Sequence, residues 1–194
     1  MNEPRAVIFT DGAMTNRSRL LSSRGVWLAV GALAIGLVVA ASALARDLVL
    51  YNHSPSIPVG LYLRSDGPVG VGTIVTVRAR DVAPSVAETR GFDDEGDRFI
   101  KRVSATEGDE ICAEGETISI NGEAMARRAA VDSSGRPLPS WSGCIVLATD
   151  QFFLLGDTAD SFDGRYWGPV SRDRIEGVWR PLRSSTQSRP DDPS

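Results

Sequence analysis

The chain has 194 residues, 42% of them apolar, and a formal net charge of −4. This length predicts one domain or two small ones. The apolar fraction excludes a polytopic membrane protein and a wholly disordered chain, and the acidic balance excludes a nucleic-acid binder with a broad basic surface.

One His and two Cys are too few for a Cys/His structural zinc site. Neither Gly-x-x-x-x-Gly-Lys nor Gly-x-Gly-x-x-Gly occurs, so no metal and no cofactor are expected. Of the 21 basic residues only Lys101 is a lysine. Any chemistry that needs a side-chain amine has that one candidate.

Residues 25–45 (GVWLAVGALAIGLVVAASALA) carry no charge. At ~1.5 Å per residue they make a helix of about 31 Å, enough to cross a hydrocarbon layer of ~30 Å. Arg17, Arg19 and Arg24 precede the run with no acid after Asp11, and Arg46 is followed directly by Asp47. The positive-inside rule then puts residues 1–24 in the cytoplasm and residues 46–183 outside as one exported domain. Two alternatives stay open: Ala43-Leu44-Ala45 also fits a signal-peptide cleavage site, and Met14 also fits as the start. Export places Cys112 and Cys144 where thiols oxidise, so a disulfide is expected, the alternative being two buried thiols.

After the span, residues 47–52 read as an extended lead-in. Residues 53–60 hold Pro55 and Pro58 and cannot be regular helix. Strands are expected at 61–64, 73–78 and 98–103, with a Gly/Pro-rich turn at 66–72 and an acidic surface loop over 81–98 that leaves room for a short helix. Residues 110–113 and 117–120 make a hairpin, and Asn121-Gly122 signals a type I′ turn. A second irregular excursion covers 127–143. A buried strand at 151–155 ends at Gly156-Asp157, and segments 168–170 and 175–179 close the fold. The tail 184–194 is disordered by composition. The exported part therefore reads as a mainly β domain with long loops.

Three places combine reactive side chains with stiff backbone. Ser56, in Ser54-Pro55-Ser56-Ile57-Pro58, is a nucleophile held on a preset backbone or part of a spacer. Strand alternation puts Lys101 on one face with Phe99 and Val103. An inward amine loses solvation, which lowers its pKa; at the ordinary pKa of ~10.4 only about one amine in 2,500 is neutral at pH 7. The alternative is an edge lysine that reaches water. Asp163 and Arg165 share a side if their segment is extended, and could pair. His53, three residues before Ser56, is too close a neighbour to align as its base.

Taken in order, Ser-x-Pro-x-Gly-Leu-Tyr after a span, Lys-Arg-Val followed by Gly-Asp, and Gly-Asp with Ser-x-Asp-Gly-Arg-Tyr-x-Gly-Pro-Val resemble the type I signal peptidases. The pattern is more similar to their TraF branch, the conjugative-transfer peptidases that mature pilins, because Ser56-Ile57-Pro58 is one residue shorter than the Ser-Met-x-Pro of general leader peptidases. Arg90-Gly91-Phe92, the Cys112 and Cys144 pair and residues 135–139 are also TraF-like. The resemblance covers about residues 48–182. It departs from the branch in having Glu107-Gly108-Asp109 where Pro-Gly-Asp is usual, which touches a turn.

The resemblance implies a membrane-anchored β-rich signal peptidase fold and a serine endopeptidase with a Ser/Lys dyad. Ser56 would be the nucleophile, Lys101 the general base and Ser54 an oxyanion hydroxyl acting with the Ser56 N–H. Ser161 would hydrogen-bond and orient the lysine, and Asp163 with Arg165 would support the site. It also implies a pilin precursor as substrate, bound as an added strand, with the inner membrane as location and the catalytic domain in the periplasm. A general leader peptidase and a non-catalytic anchored envelope protein are the competing expectations.

Overall fold

The computed structural model describes residues 23–182 apart from Asp93 and Glu95. The expected cytoplasmic residues before 23, with Met14, Arg17 and Arg19, and the tail 184–194 lie outside the described residues. Two compact units divide the chain between Ala43 and Leu44.

The first unit is built on helix α1 (Ser23–Leu48), a 26-residue run that carries the uncharged segment. Its described apolar side chains stand bare, Trp27 and Leu28 among them. Among the described residues no helix is long and apolar enough to cross a membrane. The described side chains of α1 run from 25 to 41 and at Leu48, so the expected span of 25–45 extends past them.

The second unit holds two antiparallel sheets. The larger orders its seven strands β1 (Val49–Asn52), β2 (Gly60–Ser65), β11 (Ile175–Pro181), β3 (Ile74–Arg78), β4 (Arg98–Ala105), β9 (Gln151–Leu155) and β10 (Val170–Ser171). The smaller orders β7 (Glu123–Arg127), β6 (Thr117–Ile120), β5 (Glu110–Glu114) and β8 (Gly143–Val146). The β-branched run Ile74-Val75-Thr76-Val77 is buried on both faces, which a central strand of a covered sheet requires. One face packs Val75, Val77 and Val103 with Leu154 and Val178. The other packs Ile57, Tyr62, Ile74, Ile100 and Trp179, and there the Trp179 Nε1–H donates to Thr76 Oγ1 at 2.9 Å.

The smaller sheet buries Ile111, Ala113, Ile118 and Ile120 against Phe153 and Leu155 of β9. At its hairpin Asn121 and Gly122 have φ of 52° and 81°, the left-handed pair that a type I′ turn needs. Cys112 and Cys144 face each other across β5 and β8 and are joined by a disulfide.

Several expectations change. Asp47 and Leu48 belong to the end of α1, and the extended lead-in begins at Val49. The short helix allowed for in 81–98 is α3 (Pro84–Arg90), and a second one, α2 (Ala79–Val82), precedes it. Pro84 starts α3 at its first turn, and Gly91 ends it at φ 68°, the left-handed position that favours glycine. The 127–143 excursion is shorter than expected at both ends, because β7 runs to Arg127 and β8 starts at Gly143.

The bond between Cys112 and Cys144 closes a loop of sequence separation 32, for which the loop-entropy account gives about 3–4 kcal/mol. The Cys112→Ala, Cys144→Ala double variant should melt about 10 °C lower, measured by thermal denaturation, with the larger sheet intact. An unchanged Tm would show that strand pairing alone sets the stability of the smaller sheet.

Candidate active site

Between β1 and β2 the chain makes a tight irregular loop. Pro55 and Pro58 set φ and remove two N–H donors, and Ile57 plugs the loop into the core with no exposed surface. Ser56 lies beside that plug, 6% exposed. Its Oγ is 2.9 Å from Ser54 Oγ, and its N–H points to Ser54 Oγ at 3.4 Å. Its carbonyl accepts the Asp157 N–H at 2.6 Å.

Lys101 reaches this loop from the middle of β4. The register opposes Val75 to Lys101 and Val77 to Phe99, so the lysine shares the buried face with Phe99. It is 4% exposed, and its Nζ donates to Ser56 Oγ at 2.9 Å. Phe99, 5.8 Å from Nζ by its ring centroid, stacks on Trp167 and meets Phe162 edge-on. This apolar cover explains the chief perturbation: burial lowers the Lys101 pKa from 10.5 to about 8. Asp163 opposes the fall, Arg165 adds to it, and Asp157 and Asp160 oppose it more weakly.

Asp163 and Arg165 are 0% and 2% exposed and form a forked ion pair. Arg165 Nε lies 3.0 Å from Asp163 Oδ1, and Nη2 lies 2.9 Å from Oδ2. The segment is not extended, as the pairing argument assumed. Asp163 caps the one-turn helix α4 (Gly164–Trp167) by accepting the Arg165 N–H, and the turn brings the two side chains together. The remaining Arg165 donors hold the carbonyls of Gly156, Thr158 and Ala159. Asp163 Oδ2 accepts the Gly156 N–H at 2.7 Å. A buried pair this fully bonded avoids the desolvation loss of an incomplete one and fixes the 156–159 turn, whose Asp157 N–H bonds the Ser56 carbonyl.

Ser161 is placed differently from its expected role. It is buried at the site, but its Oγ has no hydrogen-bond partner, so it does not bond Lys101. It packs against Gly156, where a Cβ would overlap Ser161 Oγ and stand 3.0 Å from Ser56 Cβ. Gly156 is thus the spacer that lets the two serines approach. His53 is exposed, and the Ser56 hydroxyl is engaged by Ser54 and Lys101 instead. The disulfide lies on the smaller sheet.

Sequence reasoning passed over three contributors. Asn52, buried at the end of β1, holds four backbone groups of the Ser56 loop; a polar residue leading into a Pro-rich loop was its only signal. Tyr62 donates to the Pro58 carbonyl at 2.6 Å. Arg102 grips Asp157 with two bonds of 2.9 and 2.8 Å, and it was legible only as the residue alternating with Lys101.

Comparison with known proteins supplies the family. The family described as "Signal peptidase, peptidase S26" matches residues 23–182. The chain is 38% identical over 167 residues to the plasmid transfer protein TraF of Escherichia coli, covering 80% of this chain and 93% of that one. It is 33% identical over 138 residues to a probable conjugal transfer protein TraF of Sinorhizobium fredii, covering 66% and 72%. A crystal structure of a signal peptidase I from Enterococcus faecalis overlaps at a TM-score of 0.35 and 20% identity, covering 59% of this chain and 98% of that one, too little overlap to argue from.

The chain belongs to the S26 signal peptidase family and is of the TraF type. In this TraF-type chain Ser54 and Ser56 lie in the loop after β1, Lys101 in β4, Ser161 and Asp163 in the turn before α4, and Arg165 in α4 itself; Lys101 bonds Ser56, and the Asp157 N–H joins the turn to the Ser56 carbonyl.

Holding Lys101 at a pKa of about 8 instead of 10.5 costs roughly 3 kcal/mol at neutral pH. Below pH 8 the ammonium is carried inside the fold. Between pH 8 and 10.5 only the unfolded chain keeps that proton, so stability rises with pH across this window. The Lys101→Met variant should therefore be more stable than the parent by about 1–3 kcal/mol at pH 6, with the gap closing by pH 10.5. Denaturation curves at several pH values would show it, and a gap independent of pH would contradict the assignment.

Proposed function

We propose that this protein is a membrane-bound serine endopeptidase that uses a Ser56/Lys101 dyad to cleave a conjugative pilin precursor at the periplasmic face of the inner membrane. The observation that carries the reading is the buried 2.9 Å contact between the Lys101 amine and the Ser56 hydroxyl. Relatedness to TraF proteins supports the conjugative setting. The uncharged α1 segment with its bare apolar side chains supports the anchor.

Neutral Lys101 takes the Ser56 proton as Oγ bonds to the scissile carbonyl carbon. The oxyanion receives the Ser56 N–H and the Ser54 hydroxyl, donors of a kind that each contribute ~10²–10³ in rate. The carbon–nitrogen bond then breaks, and Lys101 passes its proton to the leaving amine. Water, or the amino end of the same pilin chain, attacks the acyl-enzyme as Lys101 takes its proton, and Ser56 is restored. The second acceptor would give a cyclic product.

A place for the substrate strand is also available. β9 pairs with β4 only over Arg102–Ala105, so along residues 98–101 the side of β4 away from β3 has no strand beside it among the described residues. A peptide added there would lie along the stretch of β4 that carries Lys101.

Ser56→Ala should abolish acylation by a serine-acylating inhibitor. Lys101→Arg, which keeps charge but offers no base, should lose cleavage with the fold retained, whereas His53→Ala should keep most activity. In the parent, kcat/KM should rise tenfold per pH unit below about 8 and level above it, as the lysine loses its proton. A flat profile between pH 6 and 9 would rule out a lysine base. The full-length protein should stay with the membrane through alkaline carbonate, and its release would remove the anchor.

A further inference from the structure

The nucleophile loop is held chiefly by one carboxamide. Asn52 is 4% exposed, and its Nδ2 lies 2.8 Å from the carbonyls of Ser54 and Ile57 and 3.2 Å from that of Pro58. Its Oδ1 accepts the Ser54 N–H at 3.0 Å. The Tyr62 hydroxyl donates to the same Pro58 carbonyl at 2.6 Å. Pro55 and Pro58 have no N–H, so carbonyls are the main handles by which this loop can be gripped.

The grip falls on both sides of Ser56. Each held carbonyl fixes a planar peptide unit, and the Ser56 carbonyl is fixed separately by the Asp157 N–H. The Ser56 N–H belongs to the Pro55–Ser56 unit, which sits between two of these held units, and it faces Ser54 Oγ at 3.4 Å, too long for a strong bond. That donor stays available while its direction is set. The pairing of Asn52 with Gly60 and the Ile57 plug already close the loop. The carboxamide adds alignment to closure.

We infer that Asn52, seconded by Tyr62, is a positioning residue that presets the Ser56 N–H and the Ser54 hydroxyl for the oxyanion. This rests on the Ser56/Lys101 reading. Neither side chain touches the reacting atoms in this account, so their loss should act on the transition state and leave substrate binding and the lysine alone.

The test uses the full-length protein in detergent, with a fluorogenic peptide carrying Ala-x-Ala before the cut. Asn52→Asp keeps the acceptor for the Ser54 N–H and replaces the donors with oxygen. Its kcat should fall about 10²-fold, with KM within threefold and the midpoint of the pH profile still near 8. Tyr62→Phe removes one hydrogen bond, and its kcat should fall about fivefold with the same pattern. A folded Asn52→Asp with kcat within twofold of the parent overturns the inference, as does a loss carried by KM or a displaced pH midpoint. If Asn52→Asp does not fold, Tyr62→Phe decides by the same criteria. Ser56→Ala and Lys101→Arg are assayed alongside. Cleavage retained in either overturns the dyad reading and this inference with it, whereas cleavage lost in both with a parental Asn52→Asp overturns the positioning role alone.

Discussion

A lysine inside an apolar wall is the constraint on which the larger sheet is organised. Lys101 enters from a central strand, under the Phe99 ring, which itself packs on Phe162 and Trp167, where an ammonium is expensive and an amine is not. Its Nζ bonds the Ser56 hydroxyl, and burial leaves a much larger share of that amine neutral near pH 8 than an exposed lysine has. Asp163 is near enough to counter the fall in pKa without bonding the amine, because its two oxygens are already taken by Arg165 and Gly156. The neighbouring ion pair thus holds backbone in place and leaves the lysine largely unneutralised.

Two separate grips bring Ser56 to that amine. From one side Asn52 and Tyr62 hold the carbonyls of the Pro-rich loop. From the other, Arg165 and Asp163 hold the 156–159 turn, whose Asp157 N–H bonds the Ser56 carbonyl. Arg102, next to the lysine on β4, closes the circuit through Asp157. Strand, loop and turn are each fixed to another, so motion of one changes the distance between Ser56 and Lys101. Gly156 sets how close the parts come, since no side chain fits between Ser56 and Ser161.

Much of this was legible in the residues. The two prolines marked an irregular loop, the β-branched run at 74–77 marked a central strand, and alternation put Lys101 on the face of Phe99 and Val103. The type I′ turn at Asn121-Gly122 followed from residue type alone. What escaped was set by tertiary context. β7 and β8 are short edge strands of ordinary residues whose pairing the neighbouring strand decides. The Asp163 and Arg165 pair was anticipated from an extended geometry, while a capped helical turn makes it. Ser161 was given a bond to the lysine by resemblance, but its oxygen stands against Gly156 without a partner. Asn52 could not be ranked above other polar loop residues until its four bonds were visible.

The central claim, a buried amine neutral enough to act as a base, can be read from one atom, because Lys101 is the only lysine in the chain. Labelling the protein with lysine enriched in nitrogen-15 at Nζ and carbon-13 at Cε leaves a single side-chain NMR signal to follow between pH 6 and 11. The account predicts a titration midpoint near 8, moving upward when Phe99 is replaced by a smaller residue that admits water. A midpoint above 10 in the folded parent protein would contradict it.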